Sequence, residues 1–307
     1  MVGKRLPPDI LEQAPSASNQ VYDHNGSAVR YGRALDDIRM HCYITGSGPP
    51  LFLIHGTPKT NYYRYELVPL FSLHFTIVAP NLRGFRYTAK PPTAMGYDSR
   101  TQAADLAGLM SGLGYDTFYV HGEDRGAEYA YVLSAIYRDR VMKLSFGEML
   151  LSGVSLDKWS YFTPSNVYAQ YELRGVWQWH IPFLCIAHIL EMLIQGKEAE
   201  FWTSWKATPG GLRGVLETYR ADLVNRDINA VLRQKNPLTL PIMTIGVPEF
   251  FGHFVREEML LVANNVGPSF IFEECGHSLA LEAEVRLADA LANFFVGGDG
   301  ANSTAKL

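Results

Sequence analysis

The chain has 307 residues, 47% of them hydrophobic and 19% charged, with a net charge of −4. That length suits one large α/β domain carrying an insertion, or two smaller domains. With no long basic run it lacks the electrostatic footprint of a nucleic-acid binder, and with no long apolar stretch it lacks the sequence of a membrane segment or signal core.

Cys42, Cys185 and Cys275 are scattered without metal-ligand spacing and read as reduced thiols of a cytoplasmic protein. The Asn25-Gly26-Ser27 and Asn302-Ser303-Thr304 triplets match the glycosylation pattern but read as chance without a secretory signal. The end Ala305-Lys306-Leu307 resembles a peroxisomal address with Ala in place of Ser, which leaves peroxisomal import as a minor alternative.

Residues 1–25 are polar and proline-bearing and read as a surface arm. Arg39 to Tyr43 is strand-like, and Gly46-Ser47-Gly48-Pro49-Pro50 is a turn. Leu51-Phe52-Leu53-Ile54 and Phe75-Thr76-Ile77-Val78-Ala79 are short apolar runs of the kind buried on both faces of a parallel sheet. Helical periodicity is expected over Tyr63 to Leu70 and Arg100 to Leu113, and further strands over Phe118 to His121 and Lys143 to Phe146. From about 150 to 235 the alternation stops, and helix-like segments rich in Trp and Tyr follow: Trp177 to Ile194, Ala199 to Trp205 and Leu212 to Val224. The rhythm returns with a strand over Ile242 to Gly246, a helix over Val255 to Val266, a strand over Ser269 to Glu273 and a last helix over Glu282 to Phe295. The expected organisation is an α/β domain of residues 1–149 and 236–296 interrupted by a helical cap at 150–235, with a disordered tail at 297–307.

The central signal is Phe118-Tyr119-Val120-His121-Gly122-Glu123-Asp124-Arg125-Gly126-Ala127. Small residues two before and two after Asp124 let a strand turn sharply into a helix and present that side chain at the carboxyl edge of the sheet. On the local pattern alone Asp124 is a nucleophile or a helix N-cap. His55, Asp124, Glu148, Glu249 and His277 all follow strands, so all can converge at that edge. The order Asp124, acid, His277 suits a nucleophile, an orienting acid and a water-activating base, with the acid open between Glu148 and Glu249.

His55-Gly56-Thr57-Pro58, Asn81-Leu82-Arg83-Gly84-Phe85, Tyr97-Asp98-Ser99-Arg100, Gly122-Glu123-Asp124-Arg125-Gly126 and Gly276-His277 together resemble the epoxide hydrolase and fluoroacetate-type haloacid dehalogenase branch of the α/β-hydrolase superfamily. The resemblance covers roughly residues 35–295. It implies the α/β-hydrolase fold, a mostly parallel central sheet flanked by helices with a helical cap. It implies an oxyanion hole from the Thr57 and Arg125 N–H groups, and a substrate pocket that includes His55 and Trp179. It also implies cap donors at His180 and Tyr219, which fall where the branch keeps a Tyr pair. Glu148 is where dehalogenase-type members keep their acid and Glu249 where many epoxide hydrolases keep theirs; Glu148 is preferred. The sequence departs from the pattern at Glu123, usually His, and at Asn81, usually Asp, with Arg86-Tyr87-Thr88 continuing that loop.

A carboxylate nucleophile suits attack at saturated carbon, and not acyl transfer, which would give an anhydride. The expected activity is opening of an epoxide to a diol. A dehalogenase with the same covalent chemistry is the first alternative; a non-hydrolytic cyclase or ligand-binding protein of the same fold is the second. Fluoroacetate-type enzymes clamp the substrate carboxylate with two Arg residues; here those positions are Arg125 and Glu128. The aromatics Trp159, Tyr161, Tyr168, Tyr171, Trp177 and Trp179 point to a larger apolar substrate. The reaction needs a small-molecule substrate and water, with no metal or organic cofactor. A homodimer stays open.

Overall fold

The computed structural model describes residues 21–22, 28–33, 38–92, 96–156, 208–235 and 237–297. They form one nine-stranded sheet in the order β1-β2-β3-β5-β4-β6-β7-β8-β9. The strands are β1 (Val21–Tyr22), β2 (Ala28–Arg33), β3 (Arg39–Gly46), β4 (Pro50–Ile54), β5 (Thr76–Pro80), β6 (Phe118–Glu123), β7 (Val141–Gly147), β8 (Ile242–Gly246) and β9 (Val266–Ile271). β1, β2, β3 and β5 pair antiparallel. From β5 through β4, β6, β7 and β8 to β9 every pairing is parallel. The β1–β2 pair was not anticipated from the polar N-terminal composition.

The apolar runs explain the layers. Successive side chains on a strand face opposite ways, so Phe52, Ile54, Val120, Leu144 and Ile242 join one core and Leu51, Leu53, Ile77, Met243 and Ile245 the other. The first core is covered by α2 (Ser99–Gly112) and α3 (Arg125–Ile136), through Leu106, Met110, Tyr129 and Leu133 among others. The second is covered by α1 (Val68–Phe71) and α8 (Glu284–Val296), through Phe71, Leu287, Leu291 and Phe295.

Several boundaries differ from expectation for local reasons. The helix expected over Tyr63 to Leu70 is a 3-10 turn at Asn61–Arg64 followed by the short α1, with Pro69 in its first turn where the missing N–H is tolerated. The helix expected to Val266 is α6 (Phe254–Leu260), and β9 begins at Val266 rather than Ser269. The helix expected over Glu282 to Phe295 is α8, preceded by a short α7 (Leu279–Glu282), and the Glu282 carboxylate between them turns back to accept from Gly276 N (2.8 Å) and Ser278 N (2.9 Å). The segment Leu212 to Val224 is likewise two helices, α4 (Gly211–Arg220) and α5 (Asp222–Lys235), and the break puts Asp222 at a helix start. The helices expected over Trp177 to Ile194 and Ala199 to Trp205, the other cap aromatics and the 298–307 part of the tail lie outside the described residues. Among the described residues no helix is long and apolar enough to cross a membrane.

The topology sets the place of the site. From β4 the chain moves to β5 on one side and then to β6 on the other. Such a switch opens a crevice at the carboxyl ends of the strands. Ile54 of β4 is in register with Gly122 of β6, so the loop beginning at His55 lies beside Asp124.

A buried polar cluster stands behind this crevice. Glu123, fully buried, accepts from Tyr63 Oη (2.6 Å) and His121 Nε2 (2.9 Å) and is paired with Arg64 Nη1. Burial pushes the Glu123 carboxyl up, but the Arg64 guanidinium and His121 outweigh it and hold the group well below the usual carboxylate range. Arg64→Met would strand that charge in the interior, and breaking such a pair costs about 3–5 kcal/mol. Urea unfolding of Arg64→Met is expected to show a loss of that size; a midpoint matching wild type would refute the reading.

Candidate active site

Asp124 is the hinge between β6 and α3. Its backbone sits at φ 54, ψ −136, outside the basins that L-residues favour. Such a position costs about 1–3 kcal/mol and persists only where its surroundings hold it. Here Asp124 N donates to Gly147 O (3.1 Å) and Ala127 N donates to Asp124 O (2.8 Å). The tight turn requires Gly122 and Gly126: a Cβ on the first would collide with the Gly126 carbonyl, and one on the second with the carbonyls of Ile54 and His55.

Both carboxylate oxygens of Asp124 are engaged. Oδ1 accepts from Thr57 N (2.9 Å) and Arg125 N (2.5 Å), and Oδ2 lies 2.8 Å from His277 Nε2. Burial disfavours this charge, but the hydrogen bond and charge of His277, then Lys59 and Arg125 N, bring the carboxyl well below its ordinary value. Asp124 is therefore ionised at neutral pH, as a nucleophile must be.

His277 Nδ1 lies 3.0 Å from Oε2 of Glu148, whose Oε1 accepts from Val247 N (2.7 Å). Glu148 is completely buried at the end of β7, with φ 46. A carboxylate can only accept, so Nδ1 carries a proton and Nε2 faces Asp124. Burial alone would lower the imidazole, but its bonds to Asp124 and Glu148 leave it raised above the ordinary histidine value. Phe250 packs on its ring at 4.3 Å between centroids. Glu249 is exposed on the turn after β8, whereas Glu148 is in hydrogen-bonding contact with His277. Glu148→Gln is expected to slow turnover by about 10²–10⁴ through loss of the oriented base, and Glu249→Gln by less than threefold. Equal rates for the two variants in a single-turnover assay would contradict the assignment.

A family model for the alpha/beta hydrolase fold matches residues 49–172. Over 277 residues the chain is 28% identical to a soluble epoxide hydrolase of Corynebacterium sp. (strain C12), an alignment covering 85% of this chain and 95% of that protein. It is 29% identical over 147 residues to a fluoroacetate dehalogenase of Burkholderia sp, covering 47% of this chain and 45% of that protein. The solved structure of the epoxide hydrolase CorEH without ligand matches with a TM-score of 0.72 at 27% identity, over 88% of this chain and 99% of that one. The chain has the α/β-hydrolase fold.

The positions at which this chain departs from the sequence pattern it resembles have physical counterparts. Glu123 belongs to the buried cluster with Arg64, Tyr63 and His121 described above. Asn81 Oδ1 accepts from Asn61 N (2.9 Å), and its Nδ2 lies 2.9 Å from His41 Nδ1. Burial, then Arg86 and Arg39, lower the His41 imidazole to about 3, so it is neutral and its Nδ1 accepts. An Asp at position 81 would have no proton to give it.

His55, expected in the pocket, is completely buried. Its Nδ1 lies 2.7 Å from Gly56 O and its Nε2 accepts from Leu82 N (3.1 Å). Burial brings it to about 3, so it stays neutral and braces the two loops. Tyr219, on α4, lies with its ring 5.0 Å from the Arg125 guanidinium carbon. His180 and Trp179 lie outside the described residues.

The Arg125 side chain is where sequence reasoning fell short. Nη1 and Nη2 pair with Asp222 at the start of α5, the second at 2.6 Å, and Nη1 also meets Glu128 Oε2 at 3.2 Å. Asn225 and Asn229 donate to the same Glu128 carboxylate at 3.3 and 2.8 Å. Asp222 is 97 positions from Arg125, and no local pattern signals it. Lys59 and Arg64 were also missed; their complete burial is invisible in a polar stretch of sequence.

Proposed function

We propose that this protein hydrolyses an epoxide to a vicinal diol through an ester on Asp124. One observation carries the reading: an ionised Asp at the elbow has one oxygen in a pair of backbone N–H groups and the other on a histidine backed by a buried Glu.

In the first step Oδ2 of Asp124 attacks a ring carbon. The carbon–oxygen ring bond breaks, its electrons go to the departing oxygen, and a cap donor protonates that oxygen. Tyr219 and His180 are proposed as those donors. Water then attacks Cγ of the ester while His277 Nε2 takes its proton. Negative charge develops on Oδ1, which already faces the Thr57 and Arg125 N–H groups, so the donors need no rearrangement. Collapse breaks the Cγ–O bond to the substrate, the alkoxide takes the proton held on His277, and the diol leaves while the new Asp124 carboxylic acid gives its proton back to the deprotonated cap donor, restoring the carboxylate. Glu148 orients the imidazole and stabilises its charged form. Residues 150–235 are proposed as the cap that covers the pocket. The chemistry needs no cofactor.

Two further observations favour a neutral substrate over a haloacid. A relative whose match covers 85% of the chain is an epoxide hydrolase. Arg125, one of the two carboxylate-clamp positions, faces Asp222 and Glu128, and the second clamp position is Glu128 itself. A small anion would meet carboxylates where it needs cations.

A single turnover with excess enzyme in ¹⁸O-water, with styrene oxide and longer alkyl epoxides as probes, tests the reading. The new diol oxygen is expected to come unlabelled from Asp124, with the label left in the Asp124 carboxylate. Label in the first-turnover diol would refute the ester. Fluoride release from fluoroacetate without diol formation would make the protein a dehalogenase.

A further inference from the structure

Tyr219 sits near the end of α4, between Gly214 and Asp222, and both of those residues fasten the α4–α5 pair to the core. At Gly214 the backbone of α4 lies directly on the loop after β5: a Cβ there would collide with the Gly84 carbonyl. At the other end α4 stops, and Asp222 opens α5 with both carboxylate oxygens on the two terminal nitrogens of Arg125, the Nη2 contact being 2.6 Å. One turn further, Asn225 Oδ1 accepts from Ser99 N at the start of α2 (2.7 Å). A helix held at one point can still tilt about it. The second point removes that freedom, and the fork of a guanidinium on a carboxylate fixes direction as well as distance.

Arg125 joins the nucleophile turn to this second point. Its N–H donates to Asp124 Oδ1 (2.5 Å), its side chain holds Asp222, and its Cζ lies 5.0 Å from the centre of the Tyr219 ring, within cation–π range. One carboxylate suffices to balance the Arg125 charge, and the fully buried Glu128 supplies it at 3.2 Å from Nη1. Charge balance alone therefore gives no reason for a second acid. The place of Asp222 gives one: it spans from the elbow to the break that ends the helix carrying Tyr219.

We propose that Asp222 is a positioning residue: by gripping the Arg125 guanidinium it sets α4 against the nucleophile turn and places the Tyr219 hydroxyl to protonate the oxygen leaving the epoxide ring. The inference rests on the proposed ester mechanism with Tyr219 as a donor. Asp222 touches no reacting atom. Its effect falls on the first half-reaction, because the attack of water on the ester uses His277 and the Thr57 and Arg125 N–H groups, not the phenol.

Rapid-quench kinetics with styrene oxide separates the two steps. Asp222→Asn keeps the size of the side chain and an acceptor oxygen, and Glu128 remains to balance Arg125, so the fold is expected to survive. Ester formation is expected to slow by about tenfold, within the loss of about a hundredfold that a 1 Å misplacement causes, while hydrolysis of the ester stays within about twofold of wild type. In a Tyr219→Phe background, where His180 is left as donor, the same substitution is expected to change ester formation by less than about twofold, because residues acting through one group are not additive. Full additivity of the two substitutions would overturn the proposal. So would equal slowing of both half-reactions, which marks damage to the elbow. Asp222→Ser is the second variant, and loss of folding in both would make the pair purely structural and overturn the proposal as well. Absence of any ester in His277→Gln would sink the epoxide reading and this inference together; an ester formed by Asp222→Asn at the wild-type rate would sink this inference alone.

Discussion

Asp124→Asn is expected to reduce diol formation by at least about 10⁴-fold, the scale on which loss of a nucleophile is felt in enzymes that work through a covalent intermediate. The reason is local. The Asn side chain can keep the same position and still occupy the Thr57 and Arg125 N–H groups through its carbonyl, so folding and pocket shape should survive. What it loses is the charge and lone pair at Oδ2 that attack carbon. The loss should therefore fall on kcat, with substrate affinity nearly unchanged, and intact-protein mass spectrometry should find no adduct. Turnover of Asp124→Asn near the wild-type rate would remove the ester mechanism and leave the non-hydrolytic cyclase or binding reading of the fold.

His277→Gln separates the two half-reactions. Oδ2 attacks without needing a base, so ester formation should persist at a rate within about tenfold of wild type. Hydrolysis of the ester should fall by about 10²–10⁴, the usual contribution of a positioned general base. An adduct of whole-epoxide mass should accumulate within one turnover and map to Asp124. A haloacid that left an adduct lacking its halogen would instead assign the site to dehalogenation. The pH dependence has a definite sign. Water activation needs neutral His277, so wild-type ester hydrolysis should decline as pH falls through the imidazole pKa of the esterified enzyme. That limb should vanish in His277→Gln. A retained limb would place the titrating group elsewhere.

Much of the architecture is readable because it is enforced at short range. Leu51 to Ile54 and Ile242 to Gly246 are apolar at every position or nearly so, which only a strand covered on both faces tolerates. Gly122 and Gly126 betray the elbow because no Cβ fits between the strand and the crossing backbone. Element ends are less readable where a distant side chain sets them. The α7–α8 break lies where Glu282 reaches back to Gly276 and Ser278. The split between α4 and α5 leaves Asp222 free to meet Arg125, 97 positions away.

The same division holds for the site. Residue order alone points to an α/β chain with an Asp on a strand-to-helix turn and a histidine after a late strand, because those depend on local sterics and period. Packing across the sheet settles which acid touches the histidine. Glu148, at the buried end of β7, is held by Val247 N from the neighbouring strand's loop, while Glu249 projects to solvent from that loop. It also decides that Arg125 is neutralised by Asp222 and Glu128 and that Lys59 is completely buried against the Tyr63 ring. The physical reason is common to all three. Charge and hydrogen bonding in the interior depend on groups brought together by sheet register and loop closure, and residue type along the chain carries no record of that proximity.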